Sequence, residues 1–282
     1  MVKFGPSGCC EQFLEKNKSV EKMPEWLSER GLSVFEYAFN KGILLSDEKA
    51  ALYGKIFAEK GIELTVHAPY FINFANPDDM MAEKSYGYIL KSLEKMKLMG
   101  AKKLVFHPGS LTKQTREKAF GLVLERLKVL SKLLDENGFT DVYVCPETMG
   151  KHGQIGTVEE VAQMCAIDKR YMPAIDFGHV NAFTGGSLKT KEDFIAIFKT
   201  FEKYIGERYK DIHVHFSKIM YGDKGELKHL NYEEDNEYGP NFEPLAEAIK
   251  ELGVNATIIL ESRGEQTHDA MLLKQIFETK NK

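Results

Sequence analysis

The chain has no apolar run of about 18 residues, the length that crossing a membrane as a helix requires, and its opening MVKFGPSGCC holds no apolar stretch of signal-peptide length. Cysteine is scarce. There are four in 282 residues, and two of them, Cys9 and Cys10, are adjacent and poorly placed to bridge each other. This excludes a disulfide framework and points to a reducing cytoplasm. Positive charge is not in excess either. A net charge of −4 argues against a general basic coat for nucleic acid. Two divalent ions would bring that charge to about 0, and three to about +2, concentrated in one cleft. No glycine-rich phosphate loop follows the first strand-like run, and no segment reads as an interdomain linker.

What is present is alternation. Strand-like runs fall near 2–5, 33–38, 62–67, 103–107, 142–146, 172–176, 211–216 and 257–261. Helical stretches lie between most of them, as at 83–100 and 115–138. In the second, Phe120, Val123, Leu127, Leu130 and Leu134 recur at spacings of three and four, and Gly138 reads as a stop. Strands that alternate with helices predict a parallel sheet covered by helices. Eight such units, without the phosphate loop of an open sheet, predict one (β/α)8 barrel domain over 1–282. A 43% hydrophobic content is enough for its core. Two connections, 69–81 and 218–244, are long and leave the C-terminal ends of strands, where barrel active sites form.

Six strand-like runs end in TVHAP, LVFHPGS, VYVCPET, PAIDFGH, IHVHFS and IILESR. They place His67, His107, Glu147, Asp176 with His179, His215 and Glu261 at or just past strand ends. A lone histidine there is usually structural. Three carboxylates converging on one barrel mouth are different, because they repel and would be driven toward protonation without a cation. Imidazole and carboxylate donors suit zinc, manganese or iron, and there is no thiolate set. Two metals about 3.5–4 Å apart need a bridging carboxylate. Glu147 lies between His67 and His107 on one side and Asp176, His215 and Glu261 on the other, so it is the natural bridge. His179, three residues past Asp176, lies where a third ion could sit. His213 shares a strand face with His215 but lies deeper, as core or support. His152, His268 and Cys145 read as loop, structural and packing residues.

The blocks HAPYFINFA at 67, FHPGS at 106, PETMGKHGQIG at 146, AIDFGHVNAFTGG at 174, HFSK at 215 and ILES at 259 resemble, in order, those of the endonuclease IV family of apurinic/apyrimidinic endonucleases, within the xylose-isomerase-like barrels. The resemblance spans nearly the whole chain. It implies that His67, His107 and Glu147 hold a first zinc, that Glu147, Asp176, His215 and Glu261 hold a second, and that His179 helps hold a third. The implied chemistry is hydrolysis of the phosphodiester 5′ to an abasic site in DNA by a metal-bridged hydroxide, with Glu261 placed to take its proton. It implies that Tyr70 and Phe71 wedge into the duplex, where an aromatic ring replaces lost stacking. A monomer is the default expectation.

Three features depart from that family. Its D-x-H third-metal motif is missing from YGDKGELKHLNYE, where His229 is the candidate ligand with Glu226 or Asp223 as its acid. Its arginine-bearing DNA loop after strand 2 is replaced by YAFNKGILLSDEK, in which Lys41 supplies the positive charge near the strand end. HFSK lacks the family's Asn-Asp pair. Two other readings stand beside the nuclease. One is a sugar isomerase or epimerase of the same superfamily, which uses Glu147, Asp176, His215 and Glu261 around one metal and does not need His67, His107 and His179. The other is a barrel that binds damaged DNA or a metabolite without turnover.

Overall fold

Eight parallel strands close into a barrel in the computed structural model, which describes residues 2–234 and 237–279. They are β1 (Lys3–Pro6), β2 (Val34–Ala38), β3 (Glu63–His67), β4 (Lys103–Phe106), β5 (Tyr143–Pro146), β6 (Ala174–Asp176), β7 (Asp211–Phe216) and β8 (Asn255–Leu260). Each predicted strand is present within a residue or two of its expected ends. Hydrogen bonding orders them as two arcs, β2-β3-β4-β5 and β1-β8-β7-β6. The arcs join through the bridges Ser7–Glu36 on one side and Val144–Tyr171 and Glu147–Ala174 on the other. Two of the acidic side chains discussed below, Glu36 and Glu147, therefore sit on the seams where the arcs meet.

The helices cover the barrel with one apolar face each. Arg116–Glu136 starts at Thr115, whose side chain accepts from Lys118 N, and buries Ala119, Val123, Leu127, Leu130 and Leu134. Its seam runs through Ala119 where the sequence pattern points to Phe120, which is half-buried beside it. Full burial of each leucine contributes about 1.5–3 kcal/mol. The helix expected over 83–100 begins earlier, at Asp79, because Asp78 caps it by accepting from Met80 N at 2.9 Å.

The connection at 218–244 is not simply a loop. Lys218–Gly222 and Gly225–Leu230 form an antiparallel hairpin whose turn is Asp223-Lys224. The sequence signal for it was a short run either side of GDKG, which reads as a loop until something covers one face. Here that cover is the barrel mouth and the helix Phe177–Phe183, which packs on both hairpin strands. Residues 235–236 of the connection lie outside the described residues. No helix among the described residues is long and apolar enough to cross a membrane.

Candidate metal centre

Nitrogen and oxygen donors gather at the C-terminal ends of β3 to β8. Glu147 follows β5 and is fully buried, held on the seam by Glu147 N donating to Phe106 O at 3.0 Å and Thr148 N donating to Ala174 O at 3.0 Å. Its two oxygens face different groups. Oε2 lies 3.2 Å from His67 Nε2 and 3.1 Å from His107 Nε2. Oε1 lies 3.1 Å from His215 Nδ1 and 3.3 Å from His179 Nδ1. Glu261 Oε1 lies 3.5 Å from the same His215 Nδ1.

Asp176 ends β6 and also caps the short helix Phe177–Phe183, its Oδ1 accepting from His179 N at 2.7 Å. That cap places His179 over the mouth. The other oxygen, Oδ2, is buried, makes no hydrogen bond and lies 3.3 Å from His179 Nδ1. Such an atom is costly unless a cation or donor faces it. Three donor sets converge: His67, His107 and Glu147; Glu147, Asp176, His215 and Glu261; and His179, Glu226 and His229. Within each set the ligand atoms lie within 4.8 Å of one another. Imidazole and carboxylate donors so arranged, with the buried Asp176 Oδ2 that no hydrogen bond satisfies among them, fit first-row divalent ions.

The ring nitrogens of these histidines are committed in a consistent way. His67 Nδ1 donates to Ala68 O at 2.8 Å, leaving Nε2 toward Glu147. His179 Nδ1 lies 3.0 Å from Thr148 O, and its Nε2 faces Glu226 at 3.5 Å. Ser217 Oγ lies 2.9 Å from His229 Nδ1, whose Nε2 faces Glu226 at 3.8 Å. A histidine anchored through one nitrogen presents the other in a fixed direction.

Without ions the carboxylates draw protons onto the imidazoles. Burial alone would raise Glu147, but the charges on His215 and His107 outweigh it and hold the carboxyl well below its usual range. Burial would lower His67, and the Glu147 hydrogen bond and charge lift it instead to about 9. His179 rises to about 10 because Asp176 and Glu147 outweigh its burial. Asp176 is pushed up, by burial first and by Glu261 and Glu147 next.

Of the two candidate acids, Glu226 stands with His229 in the third set. Glu226 is beside His179, whereas Asp223 is exposed in the hairpin turn. Two glycines let the hairpin come this close. Gly225 has φ +89°, and a Cβ there would lie 2.1 Å from Gly150 O; a Cβ on Gly150 would lie 2.8 Å from Glu226 Cβ. Gly225→Ala is therefore expected to cost about 1–3 kcal/mol of stability and to weaken metal uptake at His179, Glu226 and His229 while the other two sets keep theirs. Urea unfolding and metal titration check both effects.

A cleft of about 250 Å³ opens over the centre, lined by His67, His107, His179, Glu226, His229 and Glu261 together with Ser7, Asn40, Tyr70 and Lys151. Tyr70 and Phe71 are half-exposed, with ring centroids 4.6 Å apart. Lys41 is exposed and does not line the cleft. A larger cavity of about 390 Å³ opens among Lys103, Tyr143, Arg170 and Asp211. Its Arg170 already pairs with Asp135 and Asp168, so convergent free donors, not volume, mark the functional end. His152 is exposed with Nε2 on Phe183 O, His268 pairs with Glu233 on the surface, and Cys145 packs with Val105, Met172 and Ala174. Burial pushes the Cys145 thiol up to about 12, so it does not act as a thiolate.

One buried acid was missed by a search confined to strand ends. Glu36 lies in the middle of β2, has no exposed surface, and meets His213 Nε2 at 2.8 Å and His215 Nε2 at 3.0 Å. The signal was a charge inside the apolar run SVFEYAF.

An uncharacterized protein of Methanocaldococcus jannaschii is 31% identical over 281 residues, covering 98% of this chain and 97% of that protein. A protein of Staphylococcus carnosus named probable endonuclease 4 is 34% identical over 164 residues, 56% of this chain and 53% of that protein. The match thus spans about half the length of such named relatives. Among solved structures, a D-tagatose 3-epimerase-like protein superposes with TM-score 0.73 at 22% identity, covering 98% of this chain and 96% of that one. Endonuclease IV from Thermus thermophilus superposes with TM-score 0.67 at 20% identity, covering 98% of each chain. The family model described as xylose isomerase-like TIM barrel matches residues 24–278, and the chain belongs to that family.

Proposed function

We propose that this protein is a metal-dependent endonuclease that hydrolyses the phosphodiester 5′ to abasic sites in DNA. The observation that carries the reading is the presence of three donor sets in one cleft, two of them sharing Glu147. Isomerisation of a sugar around one ion needs only Glu147, Asp176, His215 and Glu261; His67, His107, His179, Glu226 and His229 are surplus to it. In this reading His67, His107 and Glu147 hold one zinc, Glu147, Asp176, His215 and Glu261 a second, and His179, Glu226 and His229 a third, with Mn2+ or Fe2+ as alternatives. Bound ions supply Lewis-acid polarisation of a phosphoryl oxygen and a nucleophile from water at neutral pH.

The chain's own side chains do the rest. Glu261 is partly exposed to the cleft and receives the proton of the attacking water. Tyr70 and Phe71 stand at the mouth and stack against the bases that flank the missing one. Lys41, outside the cleft, contacts phosphate further along the strand. The whole barrel acts as one unit, and the relatives named endonuclease 4 support the reading.

The test is a duplex bearing a tetrahydrofuran abasic analogue, offered to protein whose metal content has been measured. Incision 5′ to the lesion that leaves a 3′-hydroxyl is expected. Intact duplex with fully loaded protein would sink the proposal. Epimerisation at a carbon next to a ketose carbonyl is the second reading, favoured by the self-sufficiency of the four-residue set and by a cleft of a small sugar's size. Loaded protein that exchanges the C3 proton of ketohexoses and leaves DNA intact would establish it.

A further inference from the structure

Among the candidate ligands, His215 alone is anchored by a carboxylate. Its Nδ1 faces Glu147 and Glu261 at 3.1 and 3.5 Å, while its Nε2 lies 3.0 Å from Glu36 Oε1. We propose that Glu36, braced by His213, is the positioning residue of the metal centre: its Oε1 accepts a hydrogen bond from the Nε2–H of His215 and so keeps that proton on Nε2, leaving Nδ1 free and aimed at the ion. The inference rests on the reading of these donors as a metal centre, whatever the substrate.

The geometry leaves Glu36 little else to do. Its carboxylate meets four donors. Ser7 Oγ at 3.3 Å and His215 Nε2 share Oε1; Thr65 Oγ1 at 3.2 Å and His213 Nε2 at 2.8 Å share Oε2. A carboxylate has about four lone-pair sites, so the group is full. His213 Nδ1 is buried without a hydrogen-bond partner, so the single proton of a neutral His213 sits on Nε2 and points at Glu36. The two imidazoles form a fork on one carboxylate, their Nε2 atoms 3.2 Å apart.

The backbone fixes this arrangement. Glu36 is in register with Thr65 on β3 and bridges to Ser7 across the seam between β1 and β2. His213 and His215 are two apart on β7 and so share its inner face. The other anchored histidines use neutral acceptors, two backbone carbonyls and a serine hydroxyl. A full carboxylate makes the imidazole a stronger donor to a metal, and it supplies a negative charge beneath the ions. Glu36, His213 and His215 could themselves hold a metal ion. The filled carboxylate argues against an ion there, and the experiment separates the two.

Metal-free full-length protein, prepared by chelation, is titrated with Zn2+ by calorimetry, and the ring nitrogens of 15N-histidine protein are followed by NMR. In wild-type protein loaded with zinc, His215 is expected to carry its proton on Nε2 and zinc on Nδ1. Glu36→Gln places an amide where the acceptor was, which favours the opposite tautomer. It is expected to weaken zinc at the set containing His215 by about 10- to 100-fold, and Glu36→Asp is expected to recover part of that loss. Zinc on His215 Nε2 would overturn the inference. So would a Glu36→Gln variant that loses only melting temperature and keeps its zinc affinity. Loss of one whole zinc in both Glu36→Gln and His213→Asn, with the remaining affinities unchanged, would also overturn it by showing that Glu36 and His213 are themselves ligands. If Glu36→Gln does not fold, the wild-type nitrogen assignment decides. Wild-type protein that takes up no zinc would overturn the metal-centre reading and this inference together.

Discussion

Glu147→Gln is expected to remove metal from two donor sets at once and to lower incision of abasic DNA by about a thousandfold or more. The expectation follows from how its oxygens are divided. Oε2 serves His67 and His107, and Oε1 serves His215 and His179. An amide keeps one oxygen and turns the other position into a donor that repels a cation. Loss of a Lewis-acid contribution of several kcal/mol corresponds to roughly a thousandfold in rate. Glu261→Gln is the contrast. Glu261 belongs to the set with Glu147, Asp176 and His215 and not to the set with His67 and His107, so its loss should spare the ion at His67 and His107. Elemental analysis of each variant, beside its incision rate, reads the difference. Equal metal content in Glu147→Gln and wild type would show that Glu147 is not shared.

Metal affinity is expected to rise with pH, by about tenfold per unit between pH 6 and 9 at the set containing His67 and likewise at the set containing His179. In the metal-free protein His67 titrates at about 9 and His179 at about 10. Below those values each is an imidazolium standing where an ion would be, and binding must displace its proton. Each displaced proton makes the affinity change tenfold per pH unit, about 1.4 kcal/mol. Stability of the metal-free protein should move the opposite way. The histidines' folded pKa values exceed the ordinary 6.5, so the stability they add is complete below pH 6.5 and is lost as pH rises through 9 to 10. Glu261 is held at about 2, because the charge and hydrogen bond of His215 outweigh its burial. Its contribution is present above its ordinary 4.5 and lost as pH falls toward 2. Asp176, pushed up by burial, works against it on the acid side. Melting temperature with chelator should therefore fall from pH 6.5 to 9, while the gain on adding zinc grows. A zinc-induced gain that is flat over this range would show that the histidines do not carry protons in the metal-free site.

How far the sequence reaches depends on the range of the interaction being read. The strand ends were legible because a polar residue closing an apolar run is a local pattern, and so His67, His107, Glu147, Asp176, His179, His215 and Glu261 could be placed together at one end of a barrel. The helix start at Asp79 was missed by a few residues, since only the capping bond of Asp78 reveals it. Lys41 supplies the positive charge near the end of β2, yet it stands exposed outside the cleft, whose lining takes Asn40 instead.

By itself, then, the sequence determined the alternation of strand and helix, the barrel it builds, and which donors stand at its mouth, because each of these follows from neighbours within a few residues. Only the tertiary structure decided what those donors do to one another. It chose Glu226 over Asp223 for His229 by folding a hairpin against Gly150. It divided the two oxygens of Glu147 between donor sets. It also brought Glu36 to His213 across 177 residues of chain, on a seam between arcs that no local pattern announces. The physical reason is closure: a barrel sets the depth and facing of each inner side chain by register around the whole ring, and register is a property of strands that meet in space.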